Sequence, residues 1–295
     1  MISEDAFRRV SEELRREVEE LLGSVGFLCR VFGRGKSRHS LTRKLNSAPG
    51  KYSVGGRLIQ DPVGIRVVLY FSEDIEIVQE ILGSRYQLDP DGTTVDVPSS
   101  TVFSVTRHNL VFKVPKKHER DMKIGSNGAP IDATFEVQIR TILSEGWHEV
   151  EHDLRYKNPD HWDGQNDLNR SLNGVVATLE TSEWTMRKIL DDLAYRNYKQ
   201  RAWSAMLHST LRMRITPALS EKIRVAFDSD QQLAKEALRI NRKDVFRNLS
   251  KLTPKIPVTI DNVIWMWNHF GSENAVIAAS TPDFLREQFE EMQRT

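Results

Sequence analysis

The chain has a single cysteine, Cys29, in 295 residues. That excludes an internal disulfide and any cysteine-based metal cluster, and it suits a reducing compartment. No apolar run is long enough to span a bilayer. The first residues, MISEDAFRRVSEE, lack the apolar core of a signal peptide. Both absences predict a cytoplasmic protein without a membrane partner. Nor is there a charge bias: the net charge of +1 gives no global pull toward nucleic acid or membrane, so any such argument rests on local clustering. No internal repeat is visible. What remains, 39% hydrophobic and 28% charged residues, is the composition of an ordinary globular chain long enough for one large domain or two smaller ones.

Against this even background, three stretches stand out. Thr134 to Lys157 reads TFEVQIRTILSEGWHEVEHDLRYK. Its first part alternates as a strand does, with Phe135, Val137 and Ile139 on one side and Glu136, Gln138 and Arg140 on the other. From about Ile142 the period becomes helical, placing Trp147, Val150, Glu151 and Leu154 together. The same stretch contains His148-Glu149-Val150-Glu151-His152, the literal HExxH of zinc hydrolases. No continuation supplies a recognisable third ligand.

Between Arg30 and Lys44 the chain carries Arg30, Arg34, Lys36, Arg38, Arg43 and Lys44 without one acidic residue. Such a run is either a solvated basic face or a clamp for polyphosphate or nucleic acid. It does not complete the GxxxxGK[ST] phosphate loop. In the third stretch Asp61 precedes an apolar run from Ile65 to Phe71 that reads as a buried strand. A carboxylate in that turn is either a plain turn former or a ligand for a hard divalent cation. Asp61 and Glu136 at neighbouring strand ends, holding Mg²⁺ while the basic run neutralises a triphosphate, would suit phosphoryl or pyrophosphoryl transfer.

A helix is expected over Ser3 to Leu22, and another, capped by Asp74 and stopped by Gly83, over Ile75 to Leu82. Tyr86 to Ser100 reads as a polar loop. After Lys157 the pattern is helical to the end, and Trp184, Trp203, Trp265 and Trp267 are expected in the core of those helices.

Four blocks in order resemble the synthetase domain of the RelA/SpoT homologue family, the alarmone synthetases. Arg34-Gly35-Lys36, Ser40 and Arg43-Lys44 are similar to its RxKxxxSxxRK block, and Asp61 to Arg66 to its DxxGIR block. Glu136 to Thr141 matches its E(V/I)QIRT strand. Trp147, Glu151-His152 and Tyr156-Lys157 match the helix that follows. The resemblance implies an α/β (α+β) fold, a mixed sheet flanked by helices of the nucleotidyltransferase-like kind, over residues 1–190. An all-helical segment, 191–295, follows it, and the resemblance gives that segment no role. It also implies Mg²⁺-dependent transfer of pyrophosphate from ATP to the 3′-hydroxyl of a nucleotide, GDP or GTP foremost, with release of AMP. Asp61 and Glu136 would hold the metal, and Glu136 would help deprotonate the acceptor. Arg34, Lys36, Ser40, Arg43, Lys44 and Arg66 would bind ATP. Phe103, His108, Gln138, Arg140, Glu151 and His152 would shape the acceptor side.

The departures fall on that acceptor side. The family's GYxSxH loop has only Phe103 to His108 in its place, and Glu145 stands where many small synthetases have asparagine. An adenine nucleotide or the 3′ end of tRNA therefore stays open as acceptor. A non-catalytic nucleotide-binding role and self-association stay open too.

Overall fold

The structure, a computed structural model, describes residues 2–46, 50–97, 103 and 106–294. The chain forms two compact units, Met1–Glu20 with Cys29–Thr181 and Leu21–Leu28 with Ser182–Thr295.

The first unit runs from helix α1 (Glu4–Ser24, as far as Glu20) through β1 (Cys29–Gly35), α2 (Arg38–Asn46), β2 (Val63–Leu69) and α3 (Ile75–Arg85). It continues with β3 (Leu88–Val95), β4 (His108–Lys113), α4 (Glu119–Ser126), β5 (Thr134–Thr141), α5 (Ile142–Glu151) and the start of α6 (Asn166–Lys199). The five strands make one mixed sheet in the order β1-β2-β5-β4-β3. Only β2 and β5 are parallel; the other neighbours are antiparallel. The expected mixed sheet with flanking helices is what forms.

Register decides what each face carries. Gly64, Arg66 and Val68 of β2 lie beside Glu136, Gln138 and Arg140 of β5. Across β5, Gln138 and Glu136 face Asn109 and Val111 of β4. On the other side, Arg34, Phe32 and Arg30 of β1 oppose Gly64, Arg66 and Val68. Because side chains alternate, these residues share one face, which we call the open face. Ile65, Val67, Phe112, Phe135, Val137 and Ile139 point the other way and are buried. There Tyr86 meets Phe135 edge-on at 5.2 Å between centroids, and Phe112 lies 5.5 Å from Phe135. Full burial of an aromatic ring of this size contributes about 1.5–3 kcal/mol.

Helix α1 lies close against β1. A Cβ on Gly33 would come within 2.8 Å of the Ser11 carbonyl oxygen, and one on Gly35 within 2.6 Å of the Arg8 nitrogen. Glycine at both positions lets a helix backbone approach the strand that carries Arg34.

Two expectations for this unit are corrected. Tyr86 to Ser100 is not a loop: residues 88–95 form an edge strand whose Asp-Pro-Asp-Gly is absorbed in an irregularity between Asp89 and Thr94. Residues Pro98 to Ser100 lie outside the described residues, as do Val102, Ser104 and Val105. Helix α3 passes through Gly83 to Arg85, and Asp74 is buried without making a capping bond. The isolated glycine in α3 is tolerated because it lies in the last turn, after Ile77, Val78, Ile81 and Leu82 have already anchored the helix.

The second unit contains the rest of α6 and then α7 (Trp203–Leu211), α8 (Glu221–Ser229), α9 (Gln231–Ala237), α10 (Arg242–Lys251), α11 (Ile260–Trp267), α12 (Ala275–Ser280) and α13 (Asp283–Arg294). Phe27 and Phe246 stack in its core with centroids 4.0 Å apart. Arg242 is buried, and its Nε and Nη2 donate to the carbonyls of Leu211 and Arg212 at 2.6 and 3.1 Å. It thereby satisfies carbonyl groups that the end of α7 leaves without helical partners. Trp203 is buried as expected, whereas Trp265 and Trp267 are only half-buried and Trp184 is exposed. Trp184 lies in the long α6, where a ring at helical spacing does not reach the core. Among the described residues no helix is long and apolar enough to cross a membrane.

Candidate active site

The open face is a polar platform assembled from sequence-distant pieces. Asp61 sits at its edge in a tightly held strap. Ile59 is fully buried and bridges to Ile131. The buried Thr134 hydroxyl donates to the Gln60 carbonyl at 2.7 Å, and the Lys36 amide donates to the Pro62 carbonyl at 2.9 Å. Bonds on both sides of Asp61 therefore leave its carboxylate little freedom.

That carboxylate takes two ammonium groups, Lys36 Nζ at 2.5 Å and Lys44 Nζ at 2.8 Å. Burial would raise the Asp61 carboxyl, but the two lysines outweigh it and hold it below the ordinary aspartate value. Lys36 comes from just beyond β1 and Lys44 from α2, so the basic run is folded back onto Asp61. Ser37 precedes α2 and its hydroxyl donates to Ser40 Oγ at 3.0 Å. Arg34 and Arg43 are exposed and, among the described residues, make no ion pair. Arg30, at the start of the run, is likewise exposed. Tyr52, which the sequence reading passed over, has its ring 5.9 Å from Lys44 Nζ. No short motif marks it.

Glu136 behaves oppositely to Asp61. Burial raises its carboxyl above the usual glutamate value, and the negative Asp61 adds to the rise. The Gln138 amide, Lys36 and Lys44 offset this only in part. A carboxyl held high by its surroundings is suited to accepting a proton near neutrality. Gln138 Nε2 donates to Glu136 Oε2 at 2.9 Å. Beside Glu136 the residue in β2 is Gly64, where a Cβ would meet nothing closer than the Arg34 carbonyl oxygen at 3.8 Å. Gly64 thus puts no side chain beside Glu136, and Asp61 is near enough to act on it electrostatically. Asp61 and Glu136 are the oxygen donors here that would hold a hard cation such as Mg²⁺.

Further along the open face, Arg140 Nη1 donates to Glu145 Oε2 at 2.9 Å, and its Nη2 to Gln138 Oε1 at 3.3 Å. Arg66 Nη1 reaches both Glu145 Oε1, at 2.5 Å, and Glu149 Oε1. Helix α5 is aimed by a capping box in which Thr141 and Ser144 exchange side-chain and backbone bonds. Yet α5 buries none of its residues, and Val150 and Leu154 of its expected apolar stripe are exposed. Glu151 accepts from Arg155 Nε at 3.4 Å, and Arg155 lies over the Trp147 and Trp162 rings. After Glu151 the helix widens into a π-turn, and the exposed His152 stacks on Tyr156.

The fold therefore gathers Arg34, Arg66, Glu136, Gln138 and Arg140 on one face, with Lys36, Lys44 and Asp61 joined at its edge. It does not bring His108 there. In β4 His108 alternates with Asn109, and its Nδ1 lies 3.0 Å from Gln79 Nε2 of α3, away from the open face. Phe103 is half-exposed, and Ser104 and Val105 beside it lie outside the described residues. HEVEH does not make a zinc site. Glu149, its would-be base, pairs with Arg66, and among the described residues no three His, Cys, Asp or Glu side chains are placed to hold a metal. Burial, with help from Arg140 and Arg66, pushes His148 down to about 4, leaving it neutral at physiological pH.

The open face of the mixed sheet thus carries Glu136, the exposed Arg34 and the paired Arg66 and Arg140, with Asp61 and its two lysines at the edge. Residues 33–161 match the family described as the region found in RelA / SpoT proteins. Over 103 residues the chain is 30% identical to the GTP pyrophosphokinase YjbM of Bacillus subtilis, a match covering 34% of this chain and 43% of that relative. The match thus spans less than half of the relative's length. Among solved structures, the small alarmone synthetase 1 of Bacillus subtilis is 21% identical with a TM-score of 0.46, covering 62% of this chain and 92% of that one. A GTP pyrophosphokinase family protein of Streptococcus pneumoniae is 20% identical, also at 0.46, covering 64% and 91%. At those scores the likenesses carry no argument; the fold stands on its own strand order and register.

Proposed function

We propose that the protein transfers pyrophosphate from ATP to the 3′-hydroxyl of a nucleotide, with GDP or GTP as the first-choice acceptor, and releases AMP. The observation that carries this reading is the opposed tuning of two neighbouring carboxylates: Asp61 held ionised by Lys36 and Lys44, Glu136 held proton-ready by burial. The acceptor 3′-oxygen forms a bond to the β-phosphorus of ATP while the bond from that phosphorus to the α,β-bridging oxygen breaks. AMP leaves with the electron pair, and the 3′-hydroxyl proton passes to Glu136. Lys36, Lys44, Arg34 and Arg43 bind the triphosphate, with Ser40 beside them and Arg66 toward the donor base. Gln138, Arg140, Glu151 and His152 orient the acceptor. Asp61 and Glu136 would hold Mg²⁺, which when bound neutralises charge that builds on the transferring group.

The motif resemblance and the 30% identity to a GTP pyrophosphokinase support this reading. The single cysteine is in keeping with a cytoplasmic setting. The test is incubation with γ-labelled ATP, Mg²⁺ and each of GDP, GTP, ADP, ATP and tRNA. Label on a guanine nucleotide, lost in Glu136→Gln, is the expected result. Label only on ADP, ATP or tRNA reassigns the acceptor. No label on any acceptor, with wild type equal to Glu136→Gln, overturns the enzyme and leaves a nucleotide-binding module.

A further inference from the structure

Glu145 does more than replace an asparagine. Its side chain is only 17% exposed, and its two oxygens are divided between two strands. Oε1 accepts from Arg66 of β2 at 2.5 Å and Oε2 from Arg140 of β5 at 2.9 Å. From Arg140 the bonds run on: Nη2 donates to Gln138 Oε1 at 3.3 Å, and Gln138 Nε2 donates to Glu136 Oε2 at 2.9 Å. Arginine can only donate, so it forces Gln138 to present its oxygen to Arg140 and its NH₂ to Glu136. Five side chains thus form one unbroken path from Arg66 to Glu136. Glu145 is its single joint between strands, and the capping box in the turn just before it fixes where the joint sits. The half-exposed Glu149 carboxylate pairs, among the described residues, with Arg66 and with no other arginine or lysine.

We propose that Glu145 is a positioning residue that couples the donor and acceptor halves of the site, setting Arg66 for the donor nucleotide and, through Arg140 and Gln138, the acceptor-side groups and the Glu136 carboxylate. The proposal rests on the pyrophosphate-transfer reading for the assignment of the two halves. It predicts a signature that loss of folding or loss of charge would not produce. Glu145→Gln raises the KM for ATP and for the acceptor together, about tenfold each, the size expected for one charge-assisted hydrogen bond. Glu149→Gln makes the same change of net charge but raises the KM for ATP alone.

The experiment measures both KM values for wild type and the two variants. Calorimetric binding of a non-hydrolysable ATP analogue and of GDP follows on the same proteins, after thermal melts confirm folding. Binding is expected to weaken for both ligands in Glu145→Gln and for the ATP analogue only in Glu149→Gln. If Glu145→Gln leaves either affinity within twofold of wild type, if the two variants behave alike, or if wild type does not bind GDP, the coupling is overturned. A wild type that transfers no pyrophosphate refutes the proposed reaction separately, since the calorimetric pattern decides the role of Glu145 without turnover.

Discussion

Phe135 and Glu136 are neighbours in the chain and stand on opposite faces of the same sheet. On the covered face, Phe135 is fully buried against Tyr86 and Phe112 and contributes stability without chemistry. On the open face, Glu136 is buried enough to have its carboxyl raised, which costs stability whenever it is ionised. The difference shows one strand doing two jobs by its two-residue period. The covered face supplies the stability that lets the open face keep an ill-solvated carboxylate.

Breaking this division should have graded effects. The largest is at Glu136 itself. Glu136→Gln should lower kcat by about 10²–10⁴-fold, the usual share of a general base. The same variant should melt at a higher temperature than wild type near neutral pH. The sign follows from linkage: with the folded value raised, stability is lost as pH rises from the unfolded toward the folded value, and the amide removes that loss. In wild type, the acid limb of the kcat–pH profile should fall above the ordinary glutamate range.

Next is the partner on the covered face. Phe135→Ala should cost about 3–5 kcal/mol in denaturant unfolding, because the cavity lies among rigid neighbours. Asp61→Asn sharpens the comparison from the site's edge. It should lower turnover by no more than Glu136→Gln does, and cost only about 1 kcal/mol at neutral pH, since its lysine pairs are partly solvated. The Asp61 carboxyl is depressed, so its contribution is present above the unfolded value and lost as pH falls through the folded one. Wild type and Asp61→Asn should therefore converge in acid, which melting curves across pH would reveal. The smallest effect is expected at Phe32, an exposed ring on the open face opposite Arg66. Phe32→Ala should change unfolding free energy by no more than about 0.5 kcal/mol, against several for Phe135→Ala.

Much of this was legible in the chain because it is local. Alternation in TFEVQIRT identified β5 and assigned its two faces, and the apolar run after Pro62 identified β2. The helical period after Ile142 identified α5. The acid-free run from Arg30 to Lys44 marked the cations, two of which, Lys36 and Lys44, fold onto Asp61. What failed also failed for local reasons. The Asp-Pro-Asp-Gly of β3 carries turn chemistry that an edge strand can absorb. His108 lies next to Asn109, and a shift of one residue puts its ring on the wrong face for the site. Trp184 is a large ring at helical spacing, and spacing does not say whether anything covers it.

The sequence by itself determined which residues could share a face, since a period of two or 3.6 residues is a property of the backbone. Only the tertiary structure decided which faces and segments meet. It seated Lys36 and Lys44 on Asp61, and it set Glu145 between Arg66 and Arg140. Such pairings depend on strand order and on where a helix begins, because a charge interacts with whatever the fold brings within a few ångströms.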